Sequence, residues 1–251
     1  MNPILEVRDI YKNFDGIKAV DGFSLSIEEG KIISLIGPNG AGKTTVFNIM
    51  TGFIEPEKGS IYYKGNPILG MPPYRIANLG IARTFQNLRV LEKLTVLENV
   101  LLAKKEQRGE KIWNAIWRSK GQKKEEKENR EKAMTLLEFV GLSDKANDLS
   151  EELSYGQQKL LTIACNLSAE PDLLLLDEPV AGLHPTMVSK MLSMIGDLSK
   201  KGKTIFLIEH NLEAVMEVSH SVVVMDEGRK IIEGDPQIIR EDPEVIEAYL
   251  E

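Results

Sequence analysis

Gly37-Pro38-Asn39-Gly40-Ala41-Gly42-Lys43-Thr44 decides how this chain reads. The octet fits G-x-x-x-x-G-K-[ST], and its flanks suit a phosphate-binding loop. Upstream, Lys31 to Ile36 spells Lys-Ile-Ile-Ser-Leu-Ile, a short β-prone run. Downstream, Thr45 to Thr51 mixes apolar and small residues as an opening helix does, and Gly52 closes it. Glycines let the backbone curl with its N–H groups inward, and the following helix adds its positive end. Such a loop takes a nucleotide phosphate chain. Lys43 is placed to reach the β and γ phosphates, and Thr44 offers an oxygen to Mg2+. Thr45, at the start of the expected helix, joins the phosphate-binding set.

Working outward, the next informative stretch is Leu173-Leu174-Leu175-Leu176, which runs straight into Asp177-Glu178-Pro179. Four leucines in a row suit a strand buried on both faces of a parallel sheet. The acidic pair then sits at its carboxyl end, and Pro179 stops the strand. Asp177 fits the acid that holds Mg2+, and Glu178 could accept a proton from an attacking water. Gly80 to Phe85 reads as another buried strand with Gln86 just beyond it, where an amide could contact both the metal and that water. Thr204 to Ile208 is a third, ending at Glu209-His210, and His210 could donate to the γ phosphate. Strand ends of this kind are where open α/β sheets place ligand contacts. Together these residues are what a nucleoside triphosphatase requires.

The remaining elements follow from pattern. Ile4 to Tyr11 and Ala19 to Ile27 read as strands around the turn Asn13-Phe14-Asp15-Gly16, and Glu28-Glu29-Gly30 as a hairpin turn into the strand before the loop. Phe14 could stack on an adenine ring or plug the small sheet. Gly59 to Tyr63 is a further strand, and Pro72-Pro73 opens a short helix through Leu79. Ser154 is an expected N-cap, and Gly141 an expected C-cap after Glu125 to Val140. Ser221 to Met225 and Lys230 to Glu233 should pair around Asp226-Glu227-Gly228. Short helices near Gln237 to Arg240 and Pro243 to Leu250 finish the chain.

Composition narrows the class. The 251 residues carry a formal charge of −7, which argues against a nucleic-acid partner. Residues 104–132 depart from this, with eleven lysines or arginines against six glutamates. Trp113 and Trp117 lie four apart there, beside Ile112 and Ile116, as the apolar stripe of a charged helix. That stripe suits either packing on neighbouring helices or a surface for a partner or for lipid headgroups. One cysteine, Cys165, excludes an intrachain disulfide framework and fits a reducing compartment. Neither a signal segment nor a membrane-spanning run is visible, so a cytosolic protein able to dock on a membrane protein is expected.

Leu153-Ser154-Tyr155-Gly156-Gln157-Gln158-Lys159 resembles the signature motif of the ATP-binding cassette transporter family. The order of phosphate loop, Gln86, signature, Asp177-Glu178 and His210 resembles that family over essentially the full length. The resemblance implies a P-loop NTPase of the α/β class with a mostly parallel core sheet. It also implies an N-terminal antiparallel β-subdomain and an inserted helical subdomain. The whole chain would be one such domain: a core over 1–87 and 168–235, the helical part over 88–167, and C-terminal helices over 236–251. ATP and Mg2+ would be bound, with Phe14 matching the aromatic loop that stacks on adenine. Two subunits would sandwich two ATP molecules, with Ser154, Gly156 and Gln157 capping the γ phosphate held by the mate. Ala181-Gly182-Leu183-His184 would be the loop that crosses the dimer.

Within the family the likeness is to ATPases of branched-chain amino acid importers. It is carried by Gly80 to Asn87, Leu97-Glu98-Asn99-Val100, the basic insertion near Trp113, and Asp242 to Leu250. That implies two hydrophobic permease subunits and, indirectly, an extracytoplasmic substrate-binding protein, with the chain peripheral on the cytoplasmic face. A short permease helix would be received beside the glutamine loop, near Leu88, Val90 and Leu91. The alternatives are a lipid or lipopolysaccharide exporter, a cassette protein of DNA repair or translation, and a small-molecule kinase, which would leave Leu153 to Lys159 and Asp177-Glu178 unexplained. Two departures stand out: Tyr155 replaces a glycine, and His184 stands where many members have aspartate.

Overall fold

The computed structural model describes residues 3–85, 90–104, 120–243 and 245. Its strands are β1 (Leu5–Phe14), β2 (Ile17–Ile27), β3 (Ile32–Ile36), β4 (Lys58–Tyr63) and β5 (Asn66–Pro67), followed by β6 (Ile81–Arg83), β7 (Leu173–Asp177), β8 (Thr204–Ile208), β9 (Ser221–Asp226) and β10 (Arg229–Gly234). Its helices are α1 (Lys43–Met50), α2 (Pro73–Asn78), α3 (Val96–Leu102) and α4 (Lys120–Val140), then α5 (Tyr155–Ser168), α6 (Pro185–Lys200), α7 (Leu212–Val218) and α8 (Pro236–Glu241). The chain divides into two compact units, residues 1–86 with 172–251, and residues 87–171.

The first unit contains two sheets. The larger has the order β10-β9-β3-β8-β7-β6 and is parallel apart from β10. Every residue of β3, β7 and β8 is buried. Continuous apolar runs are what such central strands need, because both faces are covered. The smaller sheet is antiparallel, β2-β1-β4-β5. Its first hairpin closes through Asp15 and Gly16, at φ 46° and 88°. That is the pair of left-handed residues a two-residue turn between twisted strands requires. Phe23, Phe47 and Phe206 are fully buried in the core, with the Phe47 and Phe206 rings 5.1 Å apart.

Two expectations need correcting here. Glu28 to Gly30 does form a turn, but it joins strands of different sheets and makes no hairpin. Ile32 to Ile36 is apolar throughout and takes parallel neighbours on both sides, β8 and β9, so β2 has no place beside it. The strand expected from Gly80 to Phe85 also shortens to Ile81–Arg83, at the sheet edge. Gln86 and Leu88 lie outside the described residues, as do Trp113, Trp117 and most of the helix expected after Pro243.

The second unit packs α3, α4 and α5 together. Thr95 caps α3 in a capping box with Glu98, and Ser154 caps α5 in the same way with Gln157. Gly141, at φ 71°, ends α4: Leu142 donates to the Leu137 carbonyl at 2.7 Å and Gly141 to that of Glu138 at 2.9 Å. Asn99 is buried and bonds the Leu91 backbone at both ends of its amide, with the Thr95 carbonyl as a further acceptor. This gives a physical reason for the asparagine within Leu97 to Val100. Among the described residues, no helix is long and apolar enough to cross a membrane.

Candidate nucleotide site

The phosphate loop leaves β3 and enters α1 through Gly42, whose φ is 99°. Two of its glycines are fixed by contact. A Cβ on Gly37 would lie 1.9 Å from the Met225 carbonyl oxygen, and one on Gly42 2.1 Å from that of Ala19. Gly228 also donates to the Ala41 carbonyl at 3.1 Å. The β9–β10 turn therefore buttresses the loop, a contact that nothing in the octet announces. Within the loop, Ala41 donates to Pro38 at 3.2 Å. The amides of Gly40 and Gly42 have no protein acceptor among the described residues. Unsatisfied donors at left-handed residues before a helix suit an anion.

Lys43 is buried and folds back on the loop, its Nζ donating to the carbonyls of Gly37 at 2.7 Å and Pro38 at 2.8 Å. Burial pushes its pKa below the ordinary lysine value, against the opposing pull of Glu178, Asp177 and Asp226. The ammonium thus sits among three carboxylates, a field that an incoming polyphosphate would share. Thr44 and Asn39 are exposed, and Thr45 and Pro38 partly so.

The parallel strands bring Asp177 and His210 to the same edge of the sheet. β7 ends at Asp177, β8 ends at Ile208, and Asp177 pairs in register with Ile208. The Glu178 amide donates to the Ile208 carbonyl at 3.0 Å. Glu178 itself adopts a left-handed φ of 49°. For a residue with a Cβ this costs about 1–3 kcal/mol, a cost often found where a side chain is aimed for function. Its Oε1 lies 2.8 Å from His210 Nε2, so the two candidate catalytic groups form a hydrogen-bonded pair.

Two further residues at this edge escaped the sequence reading. Arg83 donates to Asp177 Oδ2 at 3.0 Å, to Asn48 at 2.8 Å and to Thr51 at 3.0 Å. Both side chains of the Arg83–Asp177 pair are about nine-tenths or more buried. Burial raises the Asp177 pKa, and the guanidinium opposes it. The Arg83 guanidinium also lies against the rings of Phe47 and Phe85. The second residue, Glu209, is 2% exposed and accepts backbone N–H bonds from Val180 at 2.8 Å and His210 at 3.2 Å. An arginine three residues before Gln86 and a glutamate beside His210 carry no sequence signal of their own. Their meaning depends on which strands become neighbours.

The donor set fits Mg2+: a threonine hydroxyl and one carboxylate are hard oxygens, and this ion commonly uses only one or two protein ligands beside phosphates and water. Phe14 ends β1 with 42% of its surface exposed and Lys12 Nζ 5.2 Å from its ring. It does not plug the sheet. The exposed end of a hairpin holds it, with the Lys12 ammonium over its ring.

In the second unit, Ser154 is exposed and Gly156 and Gln157 are half-buried at the start of α5. Gln157 completes the cap by accepting the Ser154 amide at 2.9 Å. Tyr155 occupies the first helical turn with 48% exposure, Lys159 Nζ lying 5.3 Å from its ring. No left-handed φ is needed there, so a side chain replaces glycine without backbone cost. His184 stands at the N-cap position of α6 without a side-chain cap bond, and its Nδ1 lies 3.1 Å from the Thr186 hydroxyl.

A phosphate loop at the head of a parallel sheet, with Asp177, Glu178 and His210 at the strand ends, defines a P-loop nucleotide-binding protein. A family profile described as ABC transporter matches residues 20–181, and a second, described as branched-chain amino acid ATP-binding cassette transporter, matches residues 229–250. The chain is 41% identical to the high-affinity branched-chain amino acid transport ATP-binding protein BraF of Pseudomonas aeruginosa, covering 99% of this chain and 98% of the relative. It is 39% identical to the corresponding protein LivG of Escherichia coli, with the same coverage. A solved ATP-binding cassette of an ABC transporter in its ADP conformation superposes with a TM-score of 0.86 at 35% identity, covering 100% of this chain and 99% of that one. The chain belongs to the ABC transporter family as an ATP-binding subunit. Within it, the group it matches is that of BraF and LivG.

Proposed function

We propose that this chain hydrolyses ATP to power the import of branched-chain amino acids through two hydrophobic permease subunits. The observation that carries the hydrolytic part is the 2.8 Å Glu178–His210 pair, held at the strand ends beside the phosphate loop. Residues 37–45 bind the phosphates, with Lys43 exchanging its two loop carbonyls for phosphate oxygens. Phe14 stacks on the adenine. Thr44 and Asp177 hold Mg2+, and bound Mg2+ supplies charge neutralisation on the phosphates. Gln86 belongs to the same set by sequence. Glu178 takes the proton of the attacking water, and His210 donates to the γ phosphate. Ser154, Gly156 and Gln157 meet the ATP of a second cassette subunit, so that the working ATPase is a dimer. The compact unit over residues 87–171 supports a helical part that interrupts the core, beginning one residue earlier and ending four residues later than the sequence suggested.

The substrate is inherited from the likeness to BraF and LivG, since no residue of a cassette subunit reads the amino acid. Leu91, 48% exposed, supports a permease-facing surface near Leu88 and Val90. The chain then lies on the cytoplasmic face of the membrane, and an extracytoplasmic binding protein delivers the substrate. The test is reconstitution of the complex purified from native membranes into liposomes with ATP inside. Leucine uptake that needs ATP, the permeases and a binding protein is expected. Co-purification without permeases, or ATP-driven movement of a lipid and no leucine uptake, overturns the transport assignment.

A further inference from the structure

We infer that Glu209 is a positioning residue that sets the geometry of Glu178 and His210 through one buried carboxylate. The inference rests on the roles proposed above for those two residues. Glu209 follows β8 directly and is 2% exposed. A carboxylate that deep is expensive to bury unless it is well hydrogen-bonded. Its two oxygens reach two different segments. Oε1 accepts the Val180 amide at 2.8 Å, two residues past Glu178, and Oε2 accepts the His210 amide at 3.2 Å. One side chain therefore ties together the turn that carries the proposed base and the residue that carries the imidazole.

The turn needs such a tie. Glu178 holds a left-handed φ of 49°, a conformation that persists only where surroundings over-determine it. Before it, the Glu178 amide is anchored on the Ile208 carbonyl, and after it the Val180 amide is anchored on Glu209. Ile208 and Glu209 are consecutive, so the end of β8 grips Glu178 from both sides. The consequence appears in the side chains: Glu178 Oε1 and His210 Nε2 meet at 2.8 Å. Having two acceptor oxygens also matters at Glu209. Ionised, it is acceptor-only and suits two N–H donors, whereas a glutamine must turn an NH2 toward one of them.

The experiment compares E209Q, E209D and E178Q with the parent in the dimeric ATPase, measuring kcat, KM for ATP and binding of a fluorescent ATP analogue without turnover. It adds NMR of the imidazoles, of which the chain has three, His184, His210 and His220. E209Q should lower kcat by about ten- to a hundred-fold, the order expected for misplacing a reacting group by about 1 Å, with KM and analogue binding unchanged. The His210 resonances should shift while those of His184 and His220 stay. E209D, which keeps the two acceptor oxygens on a shorter arm, should recover part of the rate. In the E178Q background, E209Q should cost less than about twofold more, because its effect runs through Glu178. A parent-like kcat for E209Q overturns the inference. So does a parallel loss of ATP binding and stability, or the same factor lost again in the E178Q background. Should E209Q not fold, an E209D enzyme with parent-like kcat and unshifted His210 overturns it equally. A fast E178Q enzyme would instead refute the role of Glu178, and the two failures are thereby separate.

Discussion

In the proposed mechanism Lys43, Thr44 and the loop amides would hold the triphosphate, while Glu178 would act only once water attacks. Replacing Glu178 by glutamine keeps the shape and removes the base. E178Q should bind ATP as well as the parent or better, since one negative charge near the γ phosphate is gone. Its hydrolysis should be slower by about a hundred- to ten-thousand-fold, and steady-state phosphate release measures both this and the alternative. If Glu178 merely shaped the turn before Pro179, E178Q would turn over at close to the parent rate. His220 offers a prediction free of the site. Its Nδ1 accepts the Ile32 amide at 3.0 Å, which requires a neutral ring, and burial with the Lys31 charge lowers its pKa. The folded value is thus depressed below about 6.5. Whatever stability this neutral ring contributes is present above that pH and is lost as pH falls through the folded value. An imidazole titration by NMR with His220 at or above about 6.5 would contradict it.

At the scale of elements, the helix ends make separable contributions. Thr95→Ala removes the side-chain half of the box that starts α3 and should cost about 0.5–2 kcal/mol in urea denaturation. An unchanged midpoint would mean that Asn99 alone holds the chain there. This scale also shows what was readable before the structure. The four leucines and the Asp177-Glu178 pair announced β7 because a doubly buried strand cannot be written in polar residues. The cap at Ser154 was readable because its partner lies three positions on. Glu28 to Gly30 was misread because a turn says nothing about which sheet its strands join. Arg83 and Glu209 were missed for a related reason. A buried charge is explained only by the partner that folding brings to it, and Asp177 is 94 residues from Arg83 in the chain. For Phe14 the sequence left two readings open, and its 42% exposure speaks against the plug in the small sheet.

At the scale of the molecule, the proposed sandwich makes oligomeric state depend on nucleotide. Two ATP molecules would bridge Lys43 of one subunit and Ser154 of the other, so slow hydrolysis should let the dimer accumulate. Gel filtration of E178Q should shift from monomer to dimer with ATP and not with ADP. K43A should abolish the shift by weakening triphosphate binding. S154R should abolish it by filling the exposed start of α5. A shift that survives S154R would remove the signature face from the dimer.

Cys165 makes such an interface unusually easy to watch. It is the sole cysteine, mostly buried, and burial pushes its thiol pKa up to about 12. Almost none of it is thiolate at neutral pH, and the thiolate is the reactive species. The natural chain is therefore already close to a silent background for thiol chemistry. A cysteine placed by S154C or N39C would be the reactive handle, without first removing the native one. Mixed in one tube with ATP, the two variants could be cross-linked through a short dithiol-specific bridge, and the molecule would report its own handshake.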